Sequence, residues 1–414
     1  MALHASNVLA LRTDYTLGTQ AQYSDNIRLT QNNEQNDVVL SLLGGLLVEH
    51  TAADLDANIR GLLDYRSYVE DTFGNETLGS VNGNVEWRPL PGALHLVAQD
   101  YFTQTAVNSI APETPANRVN TNALSVGPDI FFRPSPGNTV ETQLRRSEYY
   151  FGDGPTTATP DSSRNSITAG WIRAVRPQLS LSAHAAYEDA QFDQQSQSDF
   201  SRMDYFLRGL YRRGQSELVA DVGLSNIDRT TGNDVDGFLG RVTLGRQIRT
   251  NARLDLDLSA QYTDAGTDLL TTGGRSFVSN RTGTQVTGDI FFDRRVEARY
   301  RSGTTDRNWV AYVIARDEDY ELTALDRRTK GLRFDVRRML ADAWYFNGHV
   351  QHRTENYLDL GQTNKDSEVG LGLERQLTRK VTARLEYAFN TRNSDVVGGD
   401  YNENRVLLLV YVGG

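Results

Sequence analysis

The side chains best equipped for chemistry in this 414-residue sequence are arginines and carboxylates set two or four residues apart. Asp56, Arg60, Asp64 and Arg66 form one series, and Asp204, Arg208 and Arg212 a second. Asp221 follows, then Arg253, Asp255 and Asp257, then Glu297, Arg299 and Arg301. Arg333, Asp335 and Arg337, and finally Arg384 and Glu386, carry the pattern toward the C-terminus. A guanidinium holds a carboxylate or phosphate through two parallel hydrogen bonds, and a carboxylate accepts from hydroxyls. These residues therefore suit contact with sugars and other polar solutes, with Phe206 and Tyr345 as flat surfaces on the same side. Each also suits a plainer role, solvating and bracing a wet wall, and both readings stand for any single position.

Bond-making chemistry is poorly supplied. Cysteine is absent, which removes disulfides, thiolate metal sites and a thiol nucleophile. The histidines are His4, His50, His95, His184, His349 and His352. His349 and His352 differ in parity, so on one strand they face opposite ways and cannot share an ion. No nucleophile elbow, phosphate loop, dinucleotide fingerprint or metal-binding His pair at helical spacing occurs. The acidic run Asn233–Asp236 reads as a solvated turn rather than a calcium loop. No catalytic residue, metal or cofactor is assigned. An outer-membrane hydrolase or acyltransferase, which needs a Ser within reach of a His, has the least support.

The elements that must position these charges are strands. In Ala252–Tyr262 every even position is apolar or aromatic and every odd one polar, and successive strand residues point to opposite faces. The rhythm restarts about every twenty residues. It predicts strands near 13–27, 37–49, 54–67, 77–88, 94–105, 122–133, 138–150, 165–175, 178–190 and 201–213. It predicts ten more near 216–226, 235–248, 252–263, 286–301, 308–321, 330–340, 343–356, 366–377, 380–391 and 403–412. Around 280–308 the reading is ambiguous, since Phe291–Arg295 fits a turn or a strand interior, so the count is 18 to 20.

Short connections such as Pro89–Gly92 and Pro134–Asn138 carry turn residues, and they alternate with longer polar ones near 106–121, 151–164, 192–200, 264–280 and 358–365. Alternating lengths and an even count predict an all-β fold, a transmembrane up-and-down antiparallel barrel with both termini on the periplasmic side. The expected organisation is an N-terminal periplasmic segment over 1–12 and a single barrel over 13–414. Leu55, Ala57, Ile59, Leu63 and Tyr65 make one expected lipid face; Leu179 to Tyr187 and Val381 to Phe389, at alternate positions, make two more. Trp87, Phe131, Phe132, Trp171, Trp309, Tyr320, Tyr345 and Tyr411 are expected at the interfacial girdles. Half-polar strands also account for a hydrophobic content of only 38% and a mean hydropathy of −0.51. No run approaches the roughly 18 apolar residues of a transmembrane helix. The net charge of −10 argues against nucleic acid as a partner. Residues 1–6 show no basic region followed by an apolar one, so the sequence is read as lacking its secretory signal, expected to have been removed.

Three short motifs carry a family resemblance: Tyr23-Ser24-Asp25-Asn26-Ile27, Asp289-Ile290-Phe291-Phe292-Asp293-Arg294-Arg295, and Asp400-Tyr401-Asn402-Glu403-Asn404-Arg405-Val406. In these the chain resembles the β-barrel porin 2 family, outer-membrane barrels encoded with exopolysaccharide synthesis and export systems. The resemblance implies a location in the outer membrane of a Gram-negative cell. It also implies a passive duct for a secreted polysaccharide, with outer-membrane lipid and periplasmic or inner-membrane export proteins as partners. The alternative is a general or nutrient-specific diffusion porin. Its discriminator is a long loop folded into the lumen, which a polymer exit should lack.

Overall fold

The computed structural model describes residues 10–152, 161–193, 195–272 and 287–414. Twenty antiparallel strands form one sheet. The first ten are β1 (Ala10–Ser24), β2 (Asp37–Thr51), β3 (Leu55–Tyr68), β4 (Glu76–Leu90), β5 (Leu94–Ala106), β6 (Arg118–Ser135), β7 (Asn138–Phe151), β8 (Ser162–Arg176), β9 (Leu179–Phe192) and β10 (Phe200–Arg213). The second ten are β11 (Ser216–Arg229), β12 (Val235–Arg249), β13 (Ala252–Asp264), β14 (Ile290–Gly303), β15 (Arg307–Tyr320), β16 (Arg327–Ala341), β17 (Trp344–Tyr357), β18 (Gln362–Gln376), β19 (Val381–Ser394) and β20 (Tyr401–Gly413). Each strand pairs with its neighbours in sequence, and β1 pairs with β20 from Thr16↔Gly413 to Ser24↔Arg405. The sheet is therefore a closed barrel with no free edge.

Every predicted strand is present. The ambiguity near 290 resolves as a strand, because Phe291–Arg295 pairs with both β13 and β15. β1 starts at Ala10, so residues 10–12, expected in a separate segment, belong to the wall; residues 1–9 of that segment lie outside the described residues. So do 153–160 and 194, in two of the predicted long connections, and 273–286, which runs from the predicted connection over 264–280 to the first residue of the strand expected near 286–301. Turns at the end bearing both described chain ends are two to four residues long, as at Pro136–Gly137, where Gly137 takes φ +77°, a conformation in which a Cβ would be strained.

Pairing register separates the two faces. Leu63, Leu181, Leu385 and Tyr387 are exposed on the outside, as expected of a lipid face, and so are Trp87, Phe132 and Trp171. Four of the expected girdle aromatics turn inward instead, one of them Tyr345, which the sequence also offered as a flat surface on the charged side. Phe131 lies opposite Glu141 and packs on His95; Tyr345 lies opposite Glu374 under Arg337; Tyr320 packs on Phe291; and Tyr411 lies opposite Gly18. Parity decides this, and being near a strand end does not. The inner face is also less uniformly polar than the sequence suggests. Leu407 and Leu409 of β20, Leu43 and Leu47 of β2, and Leu62 of β3 share rows with lumenal residues.

The unforeseen element is helix α1 (Ala265–Thr272), within the connection expected as a loop over 264–280. Asp264 accepts the backbone N–H of Gly266 (2.9 Å) and of Thr267 (3.2 Å), which is N-capping. Ala265 and Leu269 are buried against Ala123, Tyr149 and Phe151 of β6 and β7, far around the wall. The helix thus crosses the barrel interior rather than extending the rim.

Candidate functional site

A wall of twenty strands about 4.8 Å apart and tilted about 40° would, if circular, be roughly 40 Å across, too wide for side chains to fill. Two devices narrow it at the long-loop end. The first is α1. The second is the β5–β6 connection, where the Ile110 carbonyl accepts from Asn364 Nδ2 (3.0 Å) and Arg392 Nη1 (3.1 Å), and Tyr357 donates to Ser109 Oγ (3.1 Å). That loop is therefore fastened to β17, β18 and β19. The wall itself is drawn in beside α1, where Ala190, Phe192, Phe200, Ile227, Val235 and Ile290 pack together from β9 to β14.

Charge clusters fix this constriction. Arg164 of β8 is almost fully buried and makes two hydrogen bonds to Asp264, at 2.7 and 2.5 Å, and one to Thr267 Oγ1 at 2.7 Å. Asp268 of α1 meets Arg316 at 3.0 Å and Arg295 at 3.3 Å, and Arg316 also binds Asp293 at 2.5 Å. Arg327 bridges Glu318 (2.6 Å) and Glu355 (3.5 Å), all three buried. Replacing Arg327 with Leu is expected to cost about 3 kcal/mol, because two buried carboxylates lose their shared cation and keep only Arg316 and Arg353 respectively. Denaturant titration of the folded barrel in detergent reads this directly, and a loss below about 1 kcal/mol would mean that the triad is solvated.

The nineteen charges read from the sequence all have inward parity, but the structure distributes them along the wall rather than gathering them into one site. Asp64 pairs with Arg66 (2.7 Å), Arg208 with Asp221 (2.7 Å), and Arg212 with Glu217 (3.1 Å). Asp204 pairs with Arg202 (2.8 Å), Asp56 with Arg88, and Arg384 with Glu386. Asp255 gathers Arg253 (2.7 Å), Arg299 (3.2 Å) and Arg301 (3.6 Å). Arg333 binds Asp335 (2.8 Å), Arg337 binds Glu374 (2.7 Å), and Glu297 lies 3.8 Å from Arg295. Asp257 accepts from Thr243, and Arg60 is exposed.

Two cavities open inside the wall. One, of about 280 Å³, lies under α1 between β7 and β13. There His184 stacks on Phe206 at 4.8 Å, Arg208 and Arg241 both lie over Phe206, and both bind Asp221. Gly170 and Gly223 are required opposite this stack. A Cβ at Gly170 would lie 2.4 Å from the His184 ring, and one at Gly223 2.0 Å from the Tyr205 carbonyl oxygen. The other cavity, of about 560 Å³, lies between β3–β5 and β16–β20. Glu368 is its hub, accepting from His349 (3.1 Å), Gln351 (2.7 Å) and Arg405 (3.0 Å).

The mouth residues Arg164, Asp264, Asp268, Arg316, Arg327 and Glu355 were not singled out from the sequence. For α1 a signal existed: an Asp directly before a short segment with paired leucines, Leu269-Leu270, is a helix-start pattern. For the others no local signal exists, since their partners lie on distant strands.

Fold and lumen together define a transmembrane-type β-barrel with a constricted polar interior. No protein-family model matches the sequence, and no curated protein does, so the likeness to the β-barrel porin 2 family rests on its three motifs alone. Solved structures with similar architecture include the ferric enterobactin receptor of Pseudomonas aeruginosa, 9% identical over 97% of this chain and 80% of that one, with a TM-score of 0.45. They also include OccAB3 of Acinetobacter baumannii, 10% identical over 98% and 99%, with a TM-score of 0.38. A third, OccK2 of Pseudomonas aeruginosa in complex with glucuronate, is 11% identical over 97% and 98%, with a TM-score of 0.38.

Proposed function

We propose that this barrel is an outer-membrane diffusion channel for small polar solutes. The observation carrying this reading is α1, held across the interior by the Arg164–Asp264 pair and by burial of Ala265 and Leu269. A helix fixed in this way sits beside cavities of small-molecule size, lined by both signs of charge, and narrows the passage a polysaccharide strand would need. The export reading keeps its motif resemblance as support, with a secreted polymer and export proteins as its partners, but it requires α1 to leave its seat. The nineteen inward charges serve as solute contacts in either case. They favour polar cargo without choosing a sign, because nearly every arginine has a carboxylate beside it.

The test is solute uptake by vesicles holding the purified barrel. Swelling rates in isotonic sugars should fall steeply between monosaccharides and tetrasaccharides, and they should be matched by normal surface polysaccharide in a deletion strain. Free passage of long oligosaccharides, together with polymer trapped in the periplasm of that strain, would reverse the choice in favour of export.

A further inference from the structure

The outer face carries a feature that a wall bathed only in hydrocarbon does not need. Pairing aligns Gly240, Ala260, Arg294, Asp317 and Arg328 in one outward row across β12–β16. The next row toward the short-turn end is Val242, Leu258, Val296, Ala315 and Lys330. Small side chains at 240, 260 and 315 leave a groove of about 560 Å³, with Phe238 and Leu258 along its sides. The row below it is wholly apolar: Leu244, Leu256, Ala298, Val313 and Leu332.

Charged groups on the lipid side of a barrel are costly toward the midplane and tolerated near the interface, where headgroups supply partners. Arg294 is held to Asp317 (3.4 Å) and Asp319 (2.9 Å), and Arg328 to Asp317 (3.4 Å). Lys330, one row deeper, has no ion pair among the described residues. Asp317 Oδ1 is buried with no hydrogen-bond donor beside it. The groove therefore offers an unneutralised ammonium, two guanidiniums with free donors and one unsatisfied acceptor, all at the head of an apolar trough.

We infer that this groove binds a phosphorylated glycolipid of the surrounding leaflet. Its phosphate would sit on Arg328 and Lys330, a sugar hydroxyl would donate to Asp317 Oδ1, and an acyl chain would lie over Gly240, Ala260 and Ala315. Phosphate and hydroxyl on one headgroup satisfy the donors and the orphan acceptor together. A plain anionic phospholipid answers the cations but supplies Asp317 less well.

The inference rests on the membrane-spanning reading of the wall, and its test separates the two. The full chain is folded into phosphatidylcholine vesicles, and folding is read by heat-modifiable gel migration. Bis-phosphorylated lipid A is then titrated into the detergent-solubilised barrel, with retention read by native mass spectrometry against phosphatidylglycerol. The wild type should retain one lipid A in preference to phosphatidylglycerol. The triple variant Arg294→Gln, Arg328→Gln, Lys330→Gln should lose on the order of 10-fold or more in retention, as expected for losing hydrogen bonds to a charged group. A control removing three other outward cations, Arg146→Gln, Arg173→Gln and Lys365→Gln, should lose none. Ala260→Trp, which fills the trough and leaves every charge in place, should also displace the lipid. Equal retention by the triple and control variants, or stronger retention of phosphatidylglycerol, overturns the site while leaving the membrane reading intact. Failure of the wild type to fold into phosphatidylcholine overturns both.

Discussion

Leu256→Arg should destabilise the folded barrel by about 2–4 kcal/mol, the cost of a guanidinium near the middle of the lipid-facing band. Leu256 lies in the wholly apolar outward row of Leu244, Ala298, Val313 and Leu332, and its own neighbours in the rows on either side, Leu258 and Leu254 with Val296 and Tyr300, are apolar or aromatic. Its cross-strand partners, Leu244 and Ala298, offer no side-chain acceptor. Leu385, exposed on the outside of β19, should respond in the same way. Arg60→Gln is the control, because Arg60 is exposed on the inner face, and its change should stay within about 0.5 kcal/mol. Equilibrium folding into vesicles under a urea gradient measures all three. Equal tolerance of Arg at 256 and of Gln at 60 would show that the face assignment, and with it the membrane reading, is wrong.

The second large effect concerns the pore. Asp264→Ala removes the carboxylate that caps α1 and makes the closest ion pair with Arg164, leaving the buried guanidinium only Glu188 at 3.6 Å, at a local cost of about 3 kcal/mol. Combined with Leu269→Asp, which puts a charge into the Ala123–Tyr149–Phe151 cluster, it should release the helix from the interior. Single-channel conductance in planar bilayers should then rise severalfold, and the vesicles should admit oligosaccharides that the wild type excludes. Because the wall's own hydrogen-bond ladder is untouched, the variant should still fold. An unchanged conductance from a folded double variant would mean that α1 does not set the permeation limit, which would remove the main support for the small-solute reading.

The wall was legible in the sequence because a strand declares itself locally: period-two alternation marks most of the strands, and turn residues bound the rest. Inward parity of the arginine and carboxylate series followed from the same alternation. What sequence could not show was any contact made across the interior. Arg164 and Asp264 are a hundred residues apart, and nothing local marks them as partners. Tyr320 and Tyr411 illustrate a second limit. Aromatics near strand ends look alike whether they face headgroups or the lumen, and only the register, fixed by pairing, tells them apart. The leucines at 43, 47, 62, 407 and 409 were hidden for a related reason. β2 and β20 are apolar on both faces, so alternation gives no contrast there.

The seam between β1 and β20 bears on how the barrel forms. Every other pairing joins strands adjacent in the chain, whereas the seam joins Ser24 to Glu403 and Asp25 to Asn404, each 379 residues apart. Hairpins close over a few residues and need little chain entropy, whereas the seam gains nothing until ends this distant in the chain have been brought together. Kinetically, this makes closure the late step: a row of hairpins accumulates first, with two open edges exposed to other chains. The Asp25–Asn404 and Ser24–Glu403 contacts then act as the clasp, and the strength of that clasp sets how long the molecule remains a vulnerable open sheet before it becomes a cylinder.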